Sequence, residues 1–196
     1  MLVLASASPR RQELLRNAGI PFTVHPSNIP ELPQPGENPR ACAERLAREK
    51  ALAGSAHHPG EPVLGADTIV VVDGEILGKP ADESDATRML RLLSGRTHEV
   101  TTGVCLVAPP LRNENQNLEA RFEDTRSETT LVTMTKLSEV EIRSYIATGE
   151  PMDKAGAYAI QGRASRWIPR IEGDYFNVVG LPVALVHRML RDHGIR

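Results

Sequence analysis

The sequence predicts an α/β fold: a central mixed sheet with helices around it. Three observations carry this. The chain opens on a short apolar run, a tight turn and an amphipathic segment; strand-like and helical patterns then alternate; and no linker separates autonomous domains. With 196 residues, 40% of them hydrophobic, the chain is long enough to bury about 70% of its unfolded surface, as one domain or as two lobes sharing a sheet.

Taken in order, "LVLA" at residues 2–5 reads as a buried strand. Ser8 then stands as a helix cap with Pro9 at the first helical position, Leu14, Leu15 and Ala18 supply an apolar face, and Gly19 ends the helix. Residues 21–38 hold a brief strand and a Pro-rich, partly acidic loop. Asn38 and Pro39 open a second helix through about Leu52, with Cys42, Leu46 and Ala53 near one face and Lys50 near its end. "VLGA" and "TIVVVD" read as two strand-like runs with Gly65 and Asp67 near their junction; Asp73 and Gly74 then make a hairpin turn into "EIL".

A helix follows from Asp82 to Leu93, with Met89, Leu90 and Leu93 as its core side. "EVTTGVCLVA" and "TRSETTLVTM" are strands, and the polar connector at residues 109–124 reads as a long mobile hairpin loop. Ser138 and Glu141 form a capping box, Leu137 staples to Ile142, and Gly149 stops that helix. After a glycine-punctuated stretch, a last helix from about Pro182 to Asp192 buries Val183, Val186, Met189 and Leu190.

Composition narrows the function classes. Charged residues make up 24% and the formal net charge is -2, an ordinary soluble balance that suggests neither a polybasic nucleic-acid surface nor a membrane span. The start of the chain suggests no signal or transit peptide, so the cytoplasm is the default expectation. Cys42 and Cys105 fall in helical and strand patterns as small buried hydrophobes, and the six histidines show no zinc-ligand spacing. Four short pieces combine an acid or base with glycine or proline: "SASPRR", "GADT", "GKP" and "DKAGAYAIQG".

Helix starts favour acidic side chains, yet Arg10 and Arg11 stand at this one. They are either two solvent-facing arginines or, with Ser8, the seat of a phosphate. Lysine is scarce, only Lys50, Lys79, Lys136 and Lys154 among 23 basic residues, and a compact ammonium suits a single phosphate oxygen. Polyphosphate chemistry needs cations for the departing charge, a carboxylate for a metal and a base for water. Arg10, Arg11, Lys50, Lys79 and Lys154 offer the first; Glu31 and Asp67 offer the others. Each also has a plain alternative: Asp67 as a strand-end acceptor, Lys79 as an exposed turn residue, Glu31 facing solvent and Lys154 paired with Asp153. Tyr158 and Trp167 read as core or rim aromatics.

"LASASPRRQELL", "VLGADTIVV", "ILGKP", "TGEPMDKAGAYAIQG" and "DYFNVVGLP", in that order, resemble the Maf family of nucleoside triphosphate pyrophosphatases, over all but the 109–124 connector. The resemblance implies a strongly twisted sheet, two lobes and a cleft, in a fold like that of the inosine triphosphate pyrophosphatases. It implies hydrolysis between the α and β phosphates to the monophosphate and pyrophosphate, with a divalent cation, Mg2+ or Mn2+. Asp67 falls on the family's proton acceptor; Arg10, Thr68 and Gln161 fall on positions associated with base selectivity; Lys50 and Lys79 match basic positions and are carried as phosphate contacts. "SNIPE", with Pro30 before Glu31, departs from the usual acidic pair, and Glu31 alone is carried as a metal or water-positioning residue.

The identities at Arg10, Thr68 and Gln161 resemble the branch acting on dTTP and UTP, and the Gln161 amide can both donate to and accept from the O4 and N3–H edge that uracil and thymine share. The alternatives are other or modified nucleotides such as 7-methyl-GTP, or a non-catalytic regulatory protein of cell division. The resemblance also suggests a homodimer, and the composition suggests no nucleic-acid or membrane partner.

Overall fold

The computed structural model describes residues 1–109 and 122–195. Residues 110–121 of the anticipated loop lie outside the described residues, while 122–124 already belong to a strand. The described chain divides into two compact units, and the three longest strands each run from one unit into the other: β3 (Val63–Val72), β5 (Thr97–Ala108) and β6 (Phe122–Thr133).

The first unit comprises Met1–Asp67, Thr102–Glu128 and Gly180–Arg196. Its strands follow the order β2 (Phe22–Val24), β1 (Leu2–Leu4), β3, β5, β6, and β1 pairs in parallel with both β2 and β3. Helices α1 (Pro9–Asn17), α2 (Pro39–His57) and α6 (Val183–Asp192) belong to it. Ala47 and Ala51 of α2 form an apolar cluster with Cys105 and Val107 of β5.

The second unit comprises Thr68–Thr101 and Thr129–Val179. It adds β4 (Glu75–Leu77), antiparallel to β3, and β7 (Arg170–Glu172), antiparallel to β6, which makes the sheet mixed as expected. Here α3 (Glu83–Leu93) packs on α4 (Glu139–Ile146), and three 3-10 turns lead to β7 and the short α5 (Tyr175–Val179). The Asp73–Gly74 hairpin turn forms with both residues at positive φ, 51° and 80°, and the Ser138–Glu141 capping box is present.

Several boundaries differ from the sequence reading. Helix α2 runs on to His57 rather than stopping near Leu52: residues 53–58 contain no proline, and Gly54 is seated against Val63 and Ala5. Its buried stripe takes in Ala43, Ala47, Lys50 and Ala51, while Ala53 is only half-buried. In α1 the buried third member beside Leu14 and Leu15 is Arg11, and Ala18 is exposed. In α6, Leu185 takes the buried place given to Val183. The two apolar runs around Gly65 are one continuous strand. Strands β5 and β6 begin two and three residues earlier than their apolar patterns suggest, and α4 ends at Ile146, three residues before Gly149.

Gly65 is a packing glycine, not a break. A Cβ there would stand 2.2 Å from the Ala47 carbonyl oxygen and 2.6 Å from the Ala51 nitrogen, so its absence lets α2 lie directly on β3. Gly103 does the same on β5, where a Cβ would stand 2.2 Å from the Ala43 oxygen. Residues 65 and 67 share one face of the strand. The face that admits α2 is therefore also the face that carries Asp67.

Candidate active site

Lys50 follows Cys42 and Leu46 at intervals of four, so helical periodicity aims it at the sheet with them. The residue is 4% exposed. Burying an ammonium without a partner costs several kcal/mol; here Lys50 Nζ donates to Asp67 Oδ1 at 2.6 Å and lies 2.5 Å from Glu31 Oε1. Asp67 is 7% exposed, whereas Glu31 reaches in from the loop before α2 with its carboxylate partly in solvent. Two acids from distant parts of the sequence thus meet on one ammonium.

The first turn of α1 lies in the same electrostatic neighbourhood. Arg11 is buried, donating from Nε to the Gly180 carbonyl at 2.8 Å and from a terminal nitrogen to Ser6 Oγ at 3.1 Å. Burial lowers its pKa, the charges of Asp67 and Glu31 raise it again, and Arg10 lowers it further. Arg11 is buried, so the solvent-facing alternative fails outright for it, while Arg10 is half-buried. Ser8 occupies the cap position of α1, but its side chain makes no cap bond; its backbone N–H donates to Ser6 Oγ at 3.3 Å instead. The expectation that the Ser8 hydroxyl caps the helix is therefore corrected.

Ser8, Arg10, Arg11, Glu31, Lys50 and Asp67 all belong to the first unit; Thr68, Lys79 and Gln161 belong to the second. Thr68 is half-buried on β3, Lys79 is exposed after β4, and Gln161 is exposed in the turn before a 3-10 segment, Arg163–Trp167. Lys154 pairs with Asp153, and Tyr158 and Trp167 are buried, as the plain readings anticipated. Sequence reasoning missed Ser6 and Gly180. Ser6 had a local signal, a small polar residue two before the cap; Gly180 is 169 residues from Arg11 and had none.

Among the described residues no three His, Cys, Asp or Glu side chains form a metal cluster. Glu31 and Asp67 nevertheless fit Mg2+ or Mn2+, because these hard ions are usually held by one or two carboxylates together with substrate phosphates. Cys42 and Cys105 are buried free thiols. Burial pushes both up, Cys42 to about 11, which leaves them inert at neutral pH.

Comparison with known proteins adds an independent line. The family model for Maf-like protein matches residues 1–193. The chain belongs to the Maf family. It is 58% identical over 99% of its length to the dTTP/UTP pyrophosphatase of Koribacter versatilis (strain Ellin345), covering 95% of that protein. It is 53% identical to the dTTP/UTP pyrophosphatase of Geobacter sulfurreducens, covering 98% of this chain and 96% of that one. Among solved structures, the Staphylococcus aureus Ham1 protein is similar over 98% of both chains, at 12% identity and a TM-score of 0.49. No described helix of this Maf family member is long and apolar enough to cross a membrane.

Proposed function

We infer that this chain hydrolyses dTTP and UTP to the nucleoside monophosphate and pyrophosphate. The observation that carries the reading is the buried Asp67 held on Lys50 beside Glu31, in a chain 58% identical to a dTTP/UTP pyrophosphatase. A carboxylate nearly withdrawn from water and fixed by an ammonium is suited to orienting a nucleophile, and the arginines at α1 are suited to holding phosphate oxygens.

In the proposed reaction Ser8, Arg10, Arg11 and the α1 start bind phosphate. Asp67 orients a water molecule and accepts its proton as oxygen bonds to the α phosphorus. The bond from that phosphorus to the bridging oxygen breaks, and pyrophosphate leaves against Lys50 and Lys79. Glu31 and Asp67 would hold the divalent cation, Mg2+ or Mn2+, which when bound draws charge from phosphoryl oxygens. Arg10, Thr68 and Gln161 select the base. The proposal extends to a cytoplasmic homodimer acting on free nucleotides rather than nucleic acid, and size-exclusion chromatography with light scattering tests the dimer.

The decisive assay measures monophosphate and pyrophosphate release from dTTP and UTP with added Mg2+ or Mn2+. Asp67→Asn is expected to lose at least about 100-fold in kcat, the usual span for a positioned general base. Equal release by wild type and variant sinks the reading. A panel including CTP, GTP and 7-methyl-GTP ranks the bases by kcat/KM.

A further inference from the structure

We propose that Glu150, working with Tyr145, is a positioning residue that fixes the Gln161 turn and thereby sets how tightly the base edge is held. The inference rests on the reading of Gln161 as a reader of the base edge. All of its parts lie in the second unit.

Gln161 sits in a tight turn closed by the Gly162 N–H donating to the Ala159 carbonyl at 3.0 Å. Both ends of that turn are held by one pair of side chains. The Ala159 N–H donates to Tyr145 Oη at 3.2 Å, and the Arg163 N–H donates to Glu150 Oε1 and Oε2 at 3.0 and 3.2 Å. Tyr145 Oη in turn donates to Glu150 Oε1 at 2.8 Å, so the four groups form a closed circuit around Gln161. Gly162 makes room for it: a Cβ there would stand 2.1 Å from Glu150 Oε1. Tyr145 is fully buried and meets Trp167 edge to face, with ring centroids 5.3 Å apart.

The chemistry explains why such a clamp matters. A primary amide presents a donor beside an acceptor, and a half-turn about its last bond exchanges them. Uracil and thymine offer O4 as acceptor and N3–H as donor; cytosine offers an amino donor and N3 as acceptor. A glutamine on a loose loop can therefore satisfy either base. Fixing the backbone does not stop that half-turn; it holds the amide at the place from which both of its bonds to the base edge can form together, so a loosened turn weakens base binding. Gln161 is exposed, and it is the backbone turn that the clamp holds in place.

The test measures kcat and KM for UTP, dTTP and CTP in the full-length protein. It compares wild type with Glu150→Ala, Glu150→Gln, Tyr145→Phe and Gln161→Ala. Emission from Trp167, the one tryptophan of the chain, checks the local fold. Glu150→Ala is expected to raise KM for UTP and dTTP about tenfold, with kcat within about threefold of wild type.

Glu150→Gln, whose amide oxygen still accepts from the Arg163 N–H, is expected to recover most of that loss. If Glu150→Ala fails to fold, Glu150→Gln and Tyr145→Phe decide, the latter with an expected rise of about threefold or more in KM for UTP. Folded Glu150→Ala and Tyr145→Phe variants that keep the wild-type KM for UTP, while Gln161→Ala raises it, overturn the positioning claim alone. A Gln161→Ala variant that keeps the wild-type KM for UTP overturns the base-reading assignment and this inference with it.

Discussion

Lys50 Nζ donates to Asp67 Oδ1 at 2.6 Å with only 5% and 10% of the two side chains exposed. A pair this deep adds little net stability, because its Coulomb energy is largely spent on desolvation, but it is costly to break on one side. Lys50→Met is therefore expected to cost about 3 kcal/mol or more by leaving the Asp67 carboxylate without its buried partner. Lys50→Met combined with Asp67→Asn should regain most of that stability and none of the activity. Urea unfolding beside the pyrophosphate assay checks both. A double variant no more stable than Lys50→Met would mean that packing around the lysine, and not charge pairing, holds the site.

Gly65 is the packing condition for that pair. Gly65→Ala places a methyl 2.2 Å from the Ala47 carbonyl, a backbone atom that moves only if α2 moves. Overpacking of this kind costs about 1–3 kcal/mol, and here the lifted helix also carries Lys50. The expected result is a lower urea midpoint together with a fall in kcat larger than the stability loss explains. Wild-type kcat in Gly65→Ala would show that α2 can shift without disturbing Asp67.

Much of this arrangement is legible in the sequence where the cause is local. The Ser138–Glu141 box and the Asp73–Gly74 turn follow from residues within four positions of each other, and both form as read. What is lost is whatever depends on a distant surface. Gly65 reads as a break because its partners, Ala47 and Ala51, lie on another element. Arg11 reads as a phosphate ligand or a solvent residue, yet its burial follows from a carbonyl at Gly180. The short β7 escapes notice because only pairing with β6 defines it. Residue type and family resemblance single out Lys50, Asp67 and Glu31; that one ammonium joins the two acids follows only from the fold.

His98 gives the protein a pH limit away from the site. It is 2% exposed, its Nε2 meets Tyr158 Oη at 2.8 Å, and burial pushes its pKa down to about 4. Above pH 6.5 the ring is neutral in both folded and unfolded chains, and the pair contributes fully. Below that the unfolded chain takes up the proton while the folded one resists it, so stability falls with pH until about 4 and then levels. The loss corresponds to about 3 kcal/mol. His98→Gln, which can still bond Tyr158, should flatten this part of the pH profile in urea unfolding. An unchanged slope would assign the acid sensitivity to other groups.

Arg10 and Arg11 stand side by side in sequence and should separate in experiment. Arg11 uses its planar guanidinium to join the Gly180 carbonyl to Ser6 Oγ, and Ser6 also receives the Ser8 N–H. A lysine keeps the charge but cannot span both acceptors. Arg11→Lys is thus expected to lose about 2 kcal/mol of stability and to loosen the turn from which α1 starts. Arg10 is half-buried, and Arg10→Lys should change stability by no more than about 0.5 kcal/mol. If both arginines also bind phosphate, both variants raise KM for dTTP, but only Arg11→Lys lowers the melting temperature. A thermally silent Arg11→Lys would mean that its protein contacts are dispensable and that the buried guanidinium is kept for the substrate alone.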